Sequence, residues 1–205
     1  MTQFAAGRPA AFLDRDGTIT VEKGYVTRPE DVELIAGAAR AIRSLNRAGI
    51  LAVVVSNQSG VGRGLMTEDD LARVHAELER LLALEGARLD AAYYCPEPPP
   101  DAPDRGVTSG PACRKPQTGM IDRALRELTI DPEASCVVGD SWTDVELARR
   151  AGVPGVLVMT GKGVESLSVV RDRGIPLAYS ASDLEDAVRW IVARAARPHG
   201  DGGAG

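Results

Sequence analysis

The 205-residue sequence has little of several things that mark whole classes of protein. Its three cysteines are too few, and odd in number, for a disulfide framework. It contains no apolar run close to the roughly 18 residues of a transmembrane helix. Its net charge of −5 argues against a dedicated nucleic-acid or anionic-membrane binder. With 44% hydrophobic and 26% charged residues, the composition excludes a disordered chain and is typical of a soluble globular protein.

Lysine is scarce as well, since only Lys23, Lys115 and Lys162 stand among 24 basic residues. Two explanations fit this scarcity equally well. One is chance with codon bias, and the other is selection of these particular lysines for a function. Residues 1–7 show no basic region followed by an apolar stretch, so we expect no signal peptide and a cytoplasmic protein. From the length we expect one domain over residues 1–198, with a disordered tail at 199–205.

Short apolar runs alternate with helical patterns along the chain. Strands separated by helices imply right-handed βαβ units, so we predict an α/β fold with a doubly wound, Rossmann-like parallel sheet. Thr67 and Ser182 are the predicted caps of the second and the last helix. The predicted strands are Pro9–Leu13, Ile50–Val55, Leu89–Tyr94, Ser135–Val138, Val153–Met159 and Leu177–Tyr179.

In doubly wound sheets the chemistry lies at the carboxyl ends of the strands. Four polar segments follow predicted strands and are therefore expected to meet at one edge of the sheet. These segments are Asp14–Thr18, Ser56–Gly64, Cys95–Lys115 and Gly139–Asp144.

Two aspartates follow the first predicted strand directly. Asp14 and Asp16 lie two residues apart, and Gly17 permits the sharp turn that the chain must make there. One carboxylate could attack phosphorus while the other serves as acid and base, with a divalent cation suppressing their mutual repulsion. The alternative is an Asx-turn at a strand end, which is common.

The other segments contain polar groups that suit a phosphate or a metal. Ser56–Gly60 offers a hydroxyl and amides to a phosphoryl group, or is simply a polar loop that caps a helix. Arg114 and Lys115 precede a helix and suit a phosphate, or form a solvated basic pair. Asp140 and Asp144 add oxygen ligands of the kind that Mg²⁺ prefers over zinc, although Asp144 alternatively complements a helix dipole.

Taken in order, the four segments resemble the motifs of the haloacid dehalogenase-like phosphatases. The resemblance runs from about Ala10 to Gly163, and it implies that family's fold without a cap domain, because no insertion between the first two motifs is large enough for one. Within this family the chain is similar to the D-glycero-D-manno-heptose 1,7-bisphosphate phosphatases. The matching stretches are Leu13–Ile19, Gly24–Val26, Val53–Gly60, Arg63–Gly64, Tyr93–Pro96 and Cys113–Met120.

The resemblance implies a Mg²⁺-dependent phosphomonoesterase that works through an aspartyl-phosphate. It makes Asp14 the nucleophile and Asp16 the general acid and base. It makes Ser56 and Lys115 the pair that stabilises the phosphoryl group. The Asp14 carboxylate, the Asp16 backbone carbonyl and Asp140 would hold Mg²⁺.

The resemblance also implies a substrate, the 7-phosphate of D-glycero-D-manno-heptose 1,7-bisphosphate. Arg114 can fork onto its second phosphate. The alternatives are another small sugar phosphate or histidinol phosphate, although the related histidinol-phosphate phosphatases typically have an acidic residue where Ser59 stands. We expect a monomer with no nucleic-acid or membrane partner. The residues expected to hold the rest of the substrate are Glu22, Lys23, Gly24, Tyr25, Asn57, Gln58, Ser59, Arg63 and Arg114.

Two stretches depart from the family pattern, which usually includes zinc bound through Cys-x-His and Cys-x-Cys. Here the stretches are Cys95-Pro-Glu97 and Pro111-Ala-Cys113, so two of the four expected ligands are missing and the ligand count argues against a structural zinc. Oxygen ligands from Glu97, Asp101 or Asp104 are the remaining route to a metal. Cys95 and Cys113 could also approach each other, but a cytoplasmic disulfide is improbable.

Position 141 is a further departure, because some relatives have a lysine there and this chain has a serine. Loss of a cation beside the phosphate would weaken binding or alter substrate choice. The stretch Gly161-Lys162-Gly163 is either a loop near the phosphate or a flexible turn, and we interpret it as a turn.

Overall fold

The computed structural model describes residues 7–99 and 111–196, which form a six-stranded sheet flanked by helices. All its strand pairs are parallel, in the order β3-β2-β1-β4-β5-β6, which confirms the predicted doubly wound α/β fold. The strands are β1 (Ala10–Leu13), β2 (Leu51–Asn57), β3 (Ala91–Cys95), β4 (Cys136–Gly139), β5 (Gly155–Val158) and β6 (Tyr179–Ala181). The helices are α1 (Ala38–Arg47), α2 (Glu68–Leu84), α3 (Gly119–Glu127), α4 (Trp142–Ala151), α5 (Gly163–Asp172) and α6 (Leu184–Ala195), with a 3₁₀ turn at Pro29–Asp31.

The sheet is covered on both faces, which is why its central strands are continuously apolar. Ala11 and Leu13 of β1 belong to a core cluster that includes side chains of α1, α2 and α6. Phe12 points to the opposite face and packs in a cluster with side chains of α3 and α4. The two clusters hold β1 between them and thus fix the position of the residues that follow it.

Two helix caps were predicted, and one of them is wrong. Thr67 caps α2 as expected, since its Oγ1 accepts a hydrogen bond from Asp70 N at 3.1 Å. The cap of α6 is Asp183 rather than Ser182, because its Oδ1 accepts from Asp186 N at 2.8 Å. Ser182 instead donates its backbone N–H to the Asp186 carboxylate at 3.0 Å.

The sequence pattern failed to predict α5 and placed β6 two residues too early. Helix α5 has β-branched valines, two serines and no side-chain cap, so its local signal is weak. It forms because Val170 packs with Val145 of α4 and Leu157 of β5. Strand β6 is set by its pairing with β5, in which Tyr179 lies opposite Val156.

Between β1 and β2, where every residue is described, the chain contains only the 3₁₀ turn and α1 as helical elements, in agreement with the expected lack of a cap there. No helix in the described ranges is long and apolar enough to cross a membrane. The predicted domain limits 1 and 198, the tail at 199–205, and Asp101 and Asp104 all lie outside the described residues.

Candidate active site

The ends of three neighbouring strands bring the first group of polar side chains together. Asp14 follows β1, and its backbone N–H donates to the carbonyl of Val138 in β4 at 2.9 Å. On the other side, Ser56 in β2 donates its Oγ–H to Asp14 Oδ1 at 2.6 Å. The strand order places β1 between β2 and β4, so Asp14 lies at the centre of the group.

Lys115 is a buried cation held between two carboxylates. Its Nζ lies 2.8 Å from Asp14 Oδ2 and 2.7 Å from Asp144 Oδ1. Burial alone would lower the pKa of Lys115, but the two carboxylates raise it above its ordinary value, so the side chain stays charged. Asn57 fixes the backbone of this lysine, since its Oδ1 accepts from Lys115 N at 2.9 Å. The predicted phosphoryl-stabilising residues Ser56 and Lys115 therefore flank Asp14.

Hydrogen-bond donors hold both carboxylate oxygens of Asp16. Arg15 donates from Nε to Oδ1 at 3.0 Å and from Nη2 to Oδ2 at 2.8 Å. Gln58 Nε2 donates to Oδ2 at 2.8 Å, and Thr20 Oγ1 donates to Oδ1 at 3.1 Å. Gln58, expected to contact substrate, is buried and directed at Asp16.

Arg15 is a site residue that sequence reasoning missed. Only 1% of its side chain is exposed, and its Nη2 also donates to Gln58 Oε1 at 2.8 Å. The middle residue of an Asp-x-Asp motif has no pattern that predicts burial, so the sequence contains no signal for this role.

Asp140 directly follows β4 and lies against the turn that follows β1. Gly17 has φ of +77°, and a Cβ built there would lie 2.0 Å from Asp140 Oδ2, so only glycine allows this approach. Asp144 lies on the first turn of α4, where its Oδ2 accepts from Ser141 N at 3.0 Å. The sequence analysis considered Asp144 as an oxygen ligand but gave it no role in the expected site, although its spacing from Asp140 was the available signal.

The acidic side chains form a group suited to a hard divalent cation. One oxygen each of Asp14, Asp140 and Asp144 lies within 4.8 Å of the others, and all three residues are buried. Burial, together with the charges of Asp14 and Asp144, raises the pKa of Asp140 to about 7. This excess of buried negative charge and the all-oxygen donor set fit Mg²⁺. Lys115 Nζ lies beside both Asp14 and Asp144, so Asp140 is the member of the group that does not pair with this cation.

The segment from Glu22 to Tyr25 lies at the rim of this group. Glu22 Oε1 accepts from Gly24 N at 2.7 Å, and Glu22 Oε2 forms an ion pair with Lys162 Nζ at 2.8 Å. Lys23 pairs instead with the Glu33 carboxylate at 2.8 Å. Tyr25 is half exposed. The structure thus links Glu22 to Asp140 through Lys162, whose backbone N–H donates to Asp140, and directs the Lys23 ammonium to Glu33.

Two arginines lie near each other, beside the segments that follow β2 and β3. Arg114 donates from Nη1 to the backbone carbonyl of Glu97 at 2.9 Å. Burial and the nearby charge of Arg63 both lower the pKa of Arg114, and Tyr25 lies near enough to affect it as well. Arg63 N donates to the Ser59 carbonyl at 3.0 Å, which joins this arginine to the segment after β2. Two neighbouring guanidinium groups suit an anion.

A disulfide joins Cys95 to Cys113, with 5.4 Å between their Cα atoms. The sequence analysis predicted that this bond is improbable, because disulfides are rare in the cytoplasm. The structure contains the bond, so that prediction is wrong. The two sulfurs are bonded to each other here and are not free as metal ligands. The bond fastens the segment that leads into Arg114 and Lys115 to the end of β3. Cys136 is free and buried.

Comparisons with known proteins agree with this geometry. Residues 112–187 match the HAD-hydrolase-like family. The chain is 44% identical over 189 residues to a D-glycero-D-manno-heptose-1,7-bisphosphate 7-phosphatase of Thermosynechococcus vestitus, covering 90% of this chain and 95% of the relative. It is 43% identical over 159 residues to a D-glycero-beta-D-manno-heptose-1,7-bisphosphate 7-phosphatase of Escherichia coli, covering 76% and 82% of the two chains.

A solved structure is similar as well. It is a D,D-heptose 1,7-bisphosphate phosphatase from B. bronchiseptica, complexed with magnesium and phosphate, with a TM-score of 0.77 and 32% identity. The similarity covers 90% of this chain and 98% of that one. The chain therefore belongs to the heptose-1,7-bisphosphate phosphatase family of haloacid dehalogenase-like hydrolases, and it is a phosphatase.

Proposed function

We propose that this enzyme hydrolyses the 7-phosphate of D-glycero-D-manno-heptose 1,7-bisphosphate, with Mg²⁺, through a phosphorylated Asp14. The observation that supports this best is the setting of Asp14, whose two oxygens are held by Ser56 and Lys115 at 2.6 and 2.8 Å. A carboxylate fixed beside a buried cation is suited to attack an anionic phosphoryl group. Mg²⁺, when bound by Asp14, Asp140 and the Asp16 carbonyl, supplies further positive charge to the phosphoryl oxygens.

In the first half of the proposed reaction, an Asp14 oxygen attacks phosphorus and the bond from phosphorus to the sugar oxygen breaks. Asp16 gives its proton to that leaving oxygen. In the second half, Asp16 takes a proton from water, the water oxygen attacks phosphorus, and the bond to Asp14 breaks. Inorganic phosphate leaves and the Asp14 carboxylate is restored. Lys115 and Ser56 stabilise the charge on the phosphoryl oxygens in both halves.

The choice of a bisphosphate is supported by the two neighbouring guanidinium groups. Arg63 lies near enough to Arg114 for its charge to lower the pKa of Arg114, and Tyr25 lies near this guanidinium as well. An arginine can bind a phosphate through two hydrogen bonds, and two neighbouring arginines can balance its double charge. The names of the relatives point to the same substrate.

The substrate proposal is tested by kcat/KM for heptose 1,7-bisphosphate and histidinol phosphate, measured side by side with Mg²⁺. We expect a preference of about a hundredfold or more for the heptose, equal to about 2.7 kcal/mol of transition-state binding. Arg114→Gln should reduce this preference, because it removes a cation that only the second phosphate uses. Equal or better turnover of histidinol phosphate would contradict the assignment.

Mg²⁺ binding to the metal-free enzyme is expected to strengthen steeply as the pH rises to about 7. The pKa of Asp140 is raised to about 7 in the folded chain, so below this pH a proton competes with the cation for this carboxylate. The same shift makes the metal-free fold less stable as the pH rises from about 4, the ordinary pKa of an aspartate, to about 7. Calorimetric titration with Mg²⁺ should show an affinity that grows by up to about tenfold per pH unit below 7.

Asp140→Asn is the matched variant for this measurement. It should bind Mg²⁺ weakly and with little pH dependence between 5 and 8, because the competing proton is gone. Wild-type affinity that stays flat over this pH range would show that Asp140 is not the titrating ligand.

The cytoplasmic location and the monomeric state remain predictions. The chemistry of a small, phosphorylated sugar substrate suits a cytoplasmic enzyme, whereas a structural disulfide is uncommon in that compartment.

A further inference from the structure

Hydrogen bonds hold the loop between β5 and α5 against the candidate active site. The loop is therefore not the flexible turn that its glycines indicate. Thr160 Oγ1 donates to the Gly17 carbonyl at 2.6 Å, and Lys162 N donates to Asp140 Oδ2 at 2.8 Å. A Cβ at Gly161 would lie 2.1 Å from Asp140 Oδ2 and 2.7 Å from the Gly17 Cα. The backbone of residue 162 is thus fixed against a candidate metal ligand.

From this fixed backbone, the Lys162 side chain reaches the rim of the site. Its Nζ lies 2.8 Å from Glu22 Oε2, and 59% of the side chain is exposed. The hydrogen bond to Glu22, and with it the charges of Asp140 and Asp14, raises the pKa of Lys162, so the ammonium stays charged.

Two other cations near Asp14, Lys115 and Arg15, already pair with carboxylates. Lys115 is 2% exposed and is bound by Asp14 and Asp144, and Arg15 is 1% exposed and bound by Asp16. Lys162 differs because its partner Glu22 lies at the rim, so a phosphate oxygen that enters the site can replace that carboxylate.

We propose that Lys162 is a substrate-binding residue whose ammonium leaves Glu22 and binds an oxygen of the phosphate group at Asp14. Glu22 then becomes free to accept a hydrogen bond from a substrate hydroxyl. The exchange supplies a cation from the β5–α5 loop at a site where position 141 offers none, since Ser141 Oγ accepts from Thr143 N as the cap of α4. This inference rests on the proposed function only in taking Asp14 as the phosphate site.

Calorimetric titration of the Mg²⁺-loaded enzyme with inorganic phosphate tests the proposal without the sugar. Lys162→Met should weaken phosphate binding by about tenfold, and Lys162→Arg by about threefold or less, because arginine keeps the charge. Mg²⁺ affinity should not change in either variant, because the backbone N–H that contacts Asp140 remains. Arg28→Met is the matched control, since it removes one exposed cation whose partners, Glu30 and Asp31, are not among the candidate site residues.

Glu22→Gln supplies the second arm of the experiment. If phosphate must displace Glu22, this variant should bind phosphate more tightly in the wild-type background and not in the Lys162→Met background. Unchanged phosphate affinity in Lys162→Met, an equal loss in Arg28→Met, or equal tightening by Glu22→Gln in both backgrounds would overturn the proposal. Failure of the wild type to hydrolyse heptose 1,7-bisphosphate would instead refute the substrate and leave this result standing.

Discussion

Replacement of Asp14 by asparagine should lower kcat by about 10⁴-fold or more while the chain still folds. The amide is not a nucleophile, so no phosphorylated intermediate forms, and one charge of the candidate cation site is lost. The fold should persist because the amide oxygen can still accept hydrogen bonds from Ser56 Oγ and from Arg15 N. The measurement is single-turnover and steady-state hydrolysis with Mg²⁺, beside thermal unfolding of the same samples.

Asp90→Asn is the matched control, because this carboxylate precedes β3 at the opposite end of the sheet. Its Oδ2 accepts from Ala52 N at 2.9 Å, a bond that an amide oxygen can also make. Beryllium fluoride with Mg²⁺ should raise the unfolding temperature of the wild type and Asp90→Asn but not of Asp14→Asn. Undiminished turnover by Asp14→Asn would refute the assigned nucleophile.

The second large effect is expected at Lys115, where substitution by methionine should damage both stability and catalysis. Without the ammonium, Asp14 and Asp144 are left as buried carboxylates that repel each other, at a cost of about 3–5 kcal/mol in the free energy of unfolding. The lost stabilisation of the phosphoryl oxygens should lower kcat/KM by about 10²–10³-fold. Urea unfolding and steady-state kinetics measure the two effects separately.

A second substitution separates the structural role of Lys115 from its chemical one. Lys115→Met combined with Asp144→Asn leaves Asp14 as a single buried carboxylate with no second one to repel it from position 144, and an asparagine oxygen can still accept from Ser141 N. Most of the lost stability should return in the double variant, whereas kcat/KM should stay low. Recovery of activity together with stability would show that Lys115 acts only by supporting the fold.

The positions of the central strands were predictable because they depend on local signals. The runs that form β1 and β2 are apolar, and helical patterns lie between them, so the parallel pairing and the meeting of Asp14 with Ser56 follow from fold rules. The spacing of Asp140 and Asp144 likewise placed both carboxylates at the end of β4 and the start of α4.

The features that were missed depend on contacts between distant parts of the chain. The buried Arg15 side chain depends on Gln58, 43 residues away, which accepts its third hydrogen bond. Helix α5 owes its stability to packing on Val145 and Leu157 rather than to its own propensity. The Cys95–Cys113 bond depends on where β3 ends, which no composition argument can supply.

The disulfide also limits the effect of cleaving the backbone between its two cysteines. Cys95 and Cys113, separated by 18 positions, close a covalent ring at the end of β3. Cleavage of any peptide bond between them leaves the two fragments joined, so a protease that nicks the ring does not detach Arg114 and Lys115 from the strand. For the same reason, substitutions between the two cysteines can accumulate during evolution while the disulfide still holds Arg114 and Lys115 at the end of β3.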